Sequence, residues 1–334
     1  MLKLVILIIY FAVLIGIGLY CRKHATDVNG FVLGGRSVGP WLTAFAYGTS
    51  YFSAVVFVGY AGQFGWRYGI AATWAGIGNA IIGSLLAWVV LGRRTRIMSQ
   101  HLDSATMPQY FGKRFGSNPL KIGASVIIFI FLIPYTASLY NGLSRLFGMA
   151  FNIDYSVCII IMATLTAIYV IAGGYMATAI NDFIQGIIML FGIVAVIAAV
   201  IHSKGGFMSA LQGLANASDP AVSDTPGIFA SFFGPDPFNL LCVVILTSLG
   251  TWGLPQMVQK FYAIDNEASI QKGTVISTIF ALIVSGGCYF LGGFGRLFSD
   301  QIDVKANGFD SIIPTMLSNL SPALIALVVI LVLS

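Results

Sequence analysis

Apolar stretches of about 20 residues, each long enough to cross the ~30 Å hydrocarbon layer of a bilayer as a helix, recur from one end of this 334-residue chain to the other. A water-soluble domain carries about 25% charged residues; here 9% are charged and 57% hydrophobic, with a mean hydropathy of +0.89. The bilayer is therefore the solvent for most of the chain, and the expected fold is an all-α polytopic membrane protein in contact with membrane lipid. Spans are expected near 1–21, 40–64, 69–92, 120–149, 153–172, 176–202, 237–263, 270–298 and 320–334. The last apolar run begins at Ala323, too near Ser334 to complete a span of roughly 20 residues, so the natural protein is expected to continue. The first span is longer than a signal h-region and has no small-residue cleavage site before Arg22-Lys23-His24, so it reads as a retained helix.

The net charge of +5 and pI of 9.0 invite a nucleic-acid reading. The basic residues sit in short loops between spans, however, which is a matter of topology, and no nucleic-acid partner is expected. If alternate loops beginning with the first are cytoplasmic, they collect eleven of the seventeen Lys and Arg, among them Arg22, Lys23, Arg93, Arg94, Arg96, Lys113 and Arg114. The other side receives six, Lys3, Arg67, Arg145, Lys204, Arg296 and Lys305, together with seven of the twelve acids. The positive-inside rule then places the N-terminus outside, in a multi-pass protein of the inner (cell) membrane. Two longer hydrophilic segments, 205–236 with a short amphipathic piece at 207–214 and 300–319 with a short helix near 312–317, read as connectors or lids.

No catalytic constellation is present. His24, His101 and His202 fall at span ends, far apart in sequence, so neither a metal cluster nor a nucleophilic triad is indicated and the chain does not read as an enzyme. Cys21, Cys158, Cys242 and Cys288 show no paired spacing and read as small core residues.

Two spans are interrupted at their midpoints. Tyr47-Gly48-Thr49-Ser50-Tyr51-Phe52-Ser53-Ala54 places a glycine and several hydroxyls inside an apolar helix. Thr247-Ser248-Leu249-Gly250-Thr251-Trp252-Gly253-Leu254-Pro255 does the same, and Pro255 cannot donate to the carbonyl of Thr251. For one such segment, small residues that permit tight helix packing are the simpler account. The pair reads differently: the two lie about 200 residues apart, each in the first helix of a five-span unit, as inverted-repeat transporters require. Freed carbonyls suit a hard cation, and hydrocarbon tolerates them only where they line a cavity or are buried in protein.

On these residues, with Gly34-Gly35-Arg36-Ser37, Gly39-Pro40-Trp41, Thr106-Met107-Pro108-Gln109-Tyr110-Phe111-Gly112-Lys113-Arg114-Phe115, Gly173-Gly174, Asn181-Asp182-Phe183-Ile184-Gln185 and Gly253-Leu254-Pro255-Gln256, the chain resembles the solute:sodium symporter family. The resemblance spans essentially the whole chain. It implies a five-plus-five inverted-repeat (leucine-transporter-like) fold with an extra N-terminal helix: one transmembrane domain over 1–334, with the extra helix at 1–21, the first repeat at 40–202 and an incomplete second repeat at 237–334. It also implies sodium-coupled import of a small organic solute by alternating access, with Na+ as coupling ion. Sodium would be held by the backbone carbonyls of Thr49 and Phe52, with partners on the eighth core helix that follow Ser334. The solute pocket would draw on Tyr51, Ser53, Tyr135, Thr247, Thr251 and Trp252, the last as an inner-gate aromatic; packing is the structural alternative for Tyr135 and Trp252. Asp182 would lie on the sodium exit route, against the alternative of a hydrated interfacial carboxylate with no charged neighbour.

Sugar carriers of the family have carboxylate and amide side chains where this chain has Val55 and Val56, so a sugar is disfavoured and a carboxylate or amino acid expected. The local runs look closest to pantothenate and proline carriers, although Tyr51 stands where proline carriers tend to have an aspartate. The alternative from another class is the symporter-like sensor domain of a membrane histidine kinase, which the remainder of the gene would distinguish.

Overall fold

A computed structural model describes residues 2–332, with side chains for all of these but residues 2–4 and 24. The end of the last expected span at 333–334, and the side chains of Lys3 and His24, lie outside the described residues. Among those described there are helices and turns and only isolated β-bridges.

Helix lengths dictate the topology. Val55–His101 is helical over 47 residues and Tyr155–Ser203 over 49, each about 70 Å at 1.5 Å per residue and more than twice a bilayer core. Both fold back. At Gly69 the backbone turns to φ 62°, ψ −143°, and at Gly174 to φ 58°, ψ −152°. Only glycine adopts this conformation at little cost, and a Cβ on Gly174 would sit 2.8 Å from the Phe31 carbonyl oxygen. The second long helix is thus two spans, as the expected limits of 172 and 176 require.

The remaining elements follow the expected order. Leu2–Cys21 packs against Tyr155–Ser203 and against Pro322–Val332. Asn118–Phe151 is a single 34-residue helix that carries Pro134 inside it, longer than the anticipated 120–149, and the anticipated 69–92 continues as helix to His101. The anticipated 270–298 is helical over Glu267–Gly292, followed by a 3-10 turn at Gly295–Phe298. In the two hydrophilic segments the expected short helices are Phe207–Asn216 and Ile312–Leu317, and Val304–Asn307 adds one more helical turn.

Large apolar side chains cover much of the surface: Ile8 is 65% exposed, Ile130 54%, Phe191 75% and Leu246 72%. In water such surface would aggregate; as the outer face of a multi-pass membrane protein it meets acyl chains. Cys21, Cys158 and Cys288 are buried as expected, but Cys242 is exposed. It stands on the same outward face as Leu241 and Ile245, so the core reading does not hold for it.

Candidate functional site

Both expected interruptions are present. Pro40–Tyr51 ends where Phe52 turns extended at φ −89°, ψ 96°, and the chain resumes as a π-helical turn over Val55–Tyr60 that runs into Ala61–Tyr68. Among the described residues the Ser53 N–H makes no main-chain hydrogen bond, so the Thr49 carbonyl lacks the partner that a continuous helix would supply four residues on. The Val56 N–H is drawn instead to Ser53 Oγ at 3.4 Å, which leaves the Phe52 carbonyl in the same condition. In the second span, Pro237–Leu249 tightens into a 3-10 turn at Gly250–Gly253, Leu254 is extended, and Pro255 opens the helix to Ala263. The two halves bend by 53°. A proline at the first helical position removes only an N–H that had no partner to begin with.

Between the breaks lies a cavity of about 460 Å³, within the ordinary range for small-molecule sites of roughly 300–1,000 Å³. Ser50, Tyr51 and Ser53 reach it from the first break, and Thr247, Gly250, Thr251 and Leu254 from the second. Tyr135 and Ser138 enter from Asn118–Phe151, Asn79 and Tyr289 add an amide and a phenol, and the rest of the wall is largely apolar, from Val55, Val56, Phe64, Val243 and Leu246. A larger recess of about 910 Å³, lined by Arg67, Asp219, Asp236, Asp300, Asp303 and Lys305, includes no residue of either break.

Of the six solute-pocket candidates, Tyr51, Ser53, Tyr135, Thr247 and Thr251 line this one cavity. Trp252 does not. Its Nε1 donates to the Ile82 carbonyl at 3.0 Å, and its side chain packs against the buried cluster to which Tyr47, Trp88 and Phe261 belong, so in this conformation it stands behind the wall. Thr49 and Phe52 are buried, 1% and 2% exposed, and the Thr49 hydroxyl is turned back onto the Ala46 carbonyl at 3.4 Å. What Thr49 offers toward the break is main chain.

Asn79 was not singled out from the sequence, yet it joins the two breaks. Its Oδ1 accepts from Tyr51 Oη at 3.0 Å, Thr247 Oγ1 at 3.2 Å and Ser248 Oγ at 3.1 Å, and its Nδ2 donates to Ser285 Oγ at 3.2 Å. The signal was there to find, since an amide inside an apolar span needs partners.

Asp182 has a charged neighbour, contrary to the alternative considered for it: Lys260 Nζ lies 3.6 Å from its Oδ2, and both side chains are largely buried. Tyr175 covers the ammonium with its ring at 5.0 Å, and the adjacent Gln185 amide donates to the Tyr10 hydroxyl, tying in the N-terminal helix. Close by, Arg36 bridges the carbonyls of Ser99, Ser104 and Tyr262. Burial lowers its pKa while Asp103 opposes the shift, and a guanidinium stays charged throughout. Among the described residues no group of His, Cys, Asp and Glu is placed to hold a metal ion, so a cation here would depend on main-chain and hydroxyl oxygens.

A profile of the sodium:solute symporter family matches residues 31–333. The chain belongs to the sodium:solute symporter family. Among curated relatives, the osmoregulated proline transporter OpuE of Bacillus subtilis (strain 168) is 29% identical over 299 residues, 89% of this chain and 59% of that protein. A sodium/proline symporter of Staphylococcus aureus (strain JH9) is 29% identical over 315 residues, 90% of this chain and 57% of that protein. This chain therefore spans less than two thirds of the length of either. The substrate-bound, outward-open structure of a Na+-coupled sialic acid symporter superposes with a TM-score of 0.78 at 16% identity, covering all of this chain and 69% of that one. That likeness establishes the fold, the inverted-repeat architecture that the family's interrupted helices serve.

Proposed function

We propose that the protein is a sodium-coupled symporter that imports a small organic solute, a carboxylate or an amino acid, by alternating access. The observation that carries this reading is the pair of interrupted helices, 52–53 and 250–254, facing one largely apolar cavity into which a few hydroxyls and an amide are set. The Thr49 and Phe52 carbonyls, released from the helical ladder, are the sodium ligands that this chain supplies. Tyr51, Ser53, Tyr135, Thr247 and Thr251 contact the solute, and Asp182 marks the route by which sodium leaves. Trp252, behind the wall here, acts when the second broken helix moves. Residues 1–21 are the extra helix, 40–202 the first repeat and 237–334 part of the second, with the N-terminus outside. Val55 and Val56 in the wall support exclusion of sugars, whose hydroxyls need buried partners, and the proline-named relatives support an amino acid.

The energetics suffice without ATP. One sodium ion crossing ~100 mV releases about 2.3 kcal/mol and its concentration gradient adds a comparable term, enough for roughly hundred-fold accumulation or more. The test is uptake of labelled L-proline and pantothenate by vesicles containing the full-length protein. Uptake driven by an inward sodium gradient is expected for one of them, and equal uptake with potassium in place of sodium would remove sodium coupling.

A further inference from the structure

Where the first helix, Leu2–Cys21, crosses the first half of Tyr155–Ser203, backbone meets backbone. A Cβ on Gly18 would lie 2.9 Å from the Tyr169 carbonyl oxygen, and one on Gly173 would lie 2.8 Å from the Gly18 carbonyl oxygen. Beside this crossing the two helices leave a recess of about 770 Å³, open to the apolar outer face on which Leu19, Ile168 and Ile171 are exposed. It is hollow because four of its nine wall residues, Ala25, Ala163, Ala167 and Ala172, end at a Cβ. The Thr164 hydroxyl in the wall gives its proton to the Ile160 carbonyl at 2.7 Å, so from 163 to 172 the recess offers little but hydrocarbon. That stretch rises about 13 Å at 1.5 Å per residue, close to the depth of one leaflet of a ~30 Å hydrocarbon layer and about half of what a further transmembrane helix would need. At the Ala172 end, where the first helix stops, the wall includes Arg22, and Lys23 follows it. Among the described residues Arg22 has no ion-pair partner and no acid lines the recess; Asp27, five residues on, is committed to the Gly30 N–H at 3.1 Å. Lys23 lies over the exposed Tyr20 ring at 4.4 Å, a ring and a cation of the kind that settle at the membrane–water interface.

We propose that this recess holds an anionic phospholipid, with one acyl chain along 163–172 and the phosphate on Arg22. Shape and charge together choose the occupant. A hydrocarbon trough one leaflet deep suits an acyl chain rather than a helix, and an unpaired guanidinium at its mouth meets a phosphate with two parallel N–H donors. A zwitterionic headgroup brings its own ammonium up to the same positive charge, so the site prefers a lipid of net negative charge. With the N-terminus outside, as proposed above, Arg22 faces the cytoplasmic leaflet, whose surface is negative. The lipid then bridges the extra N-terminal helix to the core beside Gly18, apart from the solute cavity, and its binding does not depend on the symporter reading.

The test is photo-crosslinking of the full-length protein in detergent to a phosphatidylglycerol that carries a diazirine on one acyl chain, with the labelled peptides mapped by mass spectrometry. Label is expected within 163–172. Unlabelled phosphatidylglycerol is expected to compete at a concentration at least about fivefold lower than phosphatidylcholine does, the worth of one basic residue beside the headgroup. Arg22→Gln is expected to erase that preference. Ala167→Phe, which fills the trough from an exposed position, is expected to abolish labelling of 163–172, whereas Ile130→Phe, exposed on Asn118–Phe151, leaves it unchanged. Label absent from 163–172 in the wild type, as when another part of the protein covers the trough, overturns the proposal. So does equal competition by the two lipids, or a preference that survives Arg22→Gln. Inorganic phosphate that displaces the label as well as phosphatidylglycerol does would also overturn it, because the acyl chain would then contribute nothing. Labelling as expected in a protein without sodium-driven uptake would sink the transport reading and leave the lipid site standing.

Discussion

Lys260 Nζ stands 3.6 Å from Asp182 Oδ2, with side chains only 8% and 15% exposed, and the pair joins the second half of one interrupted helix, Pro255–Ala263, to the span that follows the Gly174 turn. Two charges this deeply buried are tolerable only together, since either alone has lost its hydration without compensation.

Asp182→Asn is therefore expected to destabilise the folded protein by about 3–5 kcal/mol, seen as a lowered unfolding temperature in detergent. Asp182→Asn with Lys260→Met is expected to recover most of the loss. An Asp182→Asn protein as stable as the wild type would show that the ammonium does not depend on this carboxylate.

Gly83 borders the hydroxyl of Tyr51 so closely that a Cβ there would lie 2.3 Å from Tyr51 Oη, and its carbonyl accepts from Tyr47 Oη at 2.9 Å. Gly83→Ala is expected to displace the Tyr51 ring, lowering stability by about 1–3 kcal/mol and weakening solute binding. Tyr51→Phe in the same chain is expected to restore only part of the stability, since the added Cβ would also lie 2.8 Å from the ring carbon Cζ that Phe keeps, and a denaturation series on the single and double variants checks it.

Arg296 is a clamp on the segment after Phe207–Asn216. Its Nε donates to the Trp66 carbonyl at 2.6 Å, its Nη1 lies 3.1 Å from the Asp219 carboxylate, and its guanidinium covers Phe229 at 3.8 Å. Burial pulls its pKa down and Asp219 opposes the shift, yet the group stays charged at any working pH. Because lysine has neither the planar fork nor the stacking face, Arg296→Lys is expected to free 217–227 for cleavage in limited proteolysis nearly as much as Arg296→Ala. Cleavage at the wild-type rate in both would mean that the clamp does not hold this segment.

Ser53 lines the cavity and accepts only the Val56 N–H, so its hydroxyl proton is free for a solute. Ser53→Ala is expected to weaken solute affinity by up to about tenfold, the worth of one hydrogen bond of 0.5–1.5 kcal/mol, with the maximal uptake rate little changed. Unchanged affinity would take Ser53 out of the pocket.

The elements written locally were legible in the sequence. Pro255 cannot continue a helix and Gly174 permits a reversed φ, so the second break and the fold-back at 174 are readable from single residues. The short helix at Ile312–Leu317 likewise follows from its own turn chemistry. What depended on helices meeting was not legible. Lys260 and Asp182 are 78 residues apart, and nothing on either helix alone announces the other. Asn79 reads as an isolated amide until the helix carrying it is laid between Tyr51 and Ser248. Trp252 shows the converse, since a mid-span aromatic points to a site or to packing with equal force and only the partner at Ile82 decides its place here.

The account turns on the two breaks sharing one cavity whose ligand and ion are coupled, and thiol accessibility reaches that directly. In full-length protein with the native cysteines replaced, the exposed Cys242 above all, Ser53→Cys and Thr251→Cys are labelled singly with a maleimide. L-proline, or whichever solute the uptake assay identifies, is expected to slow labelling at both positions, and to do so only when sodium is present. Labelling at either position that ignores the solute, or protection of equal strength in potassium, would contradict the account.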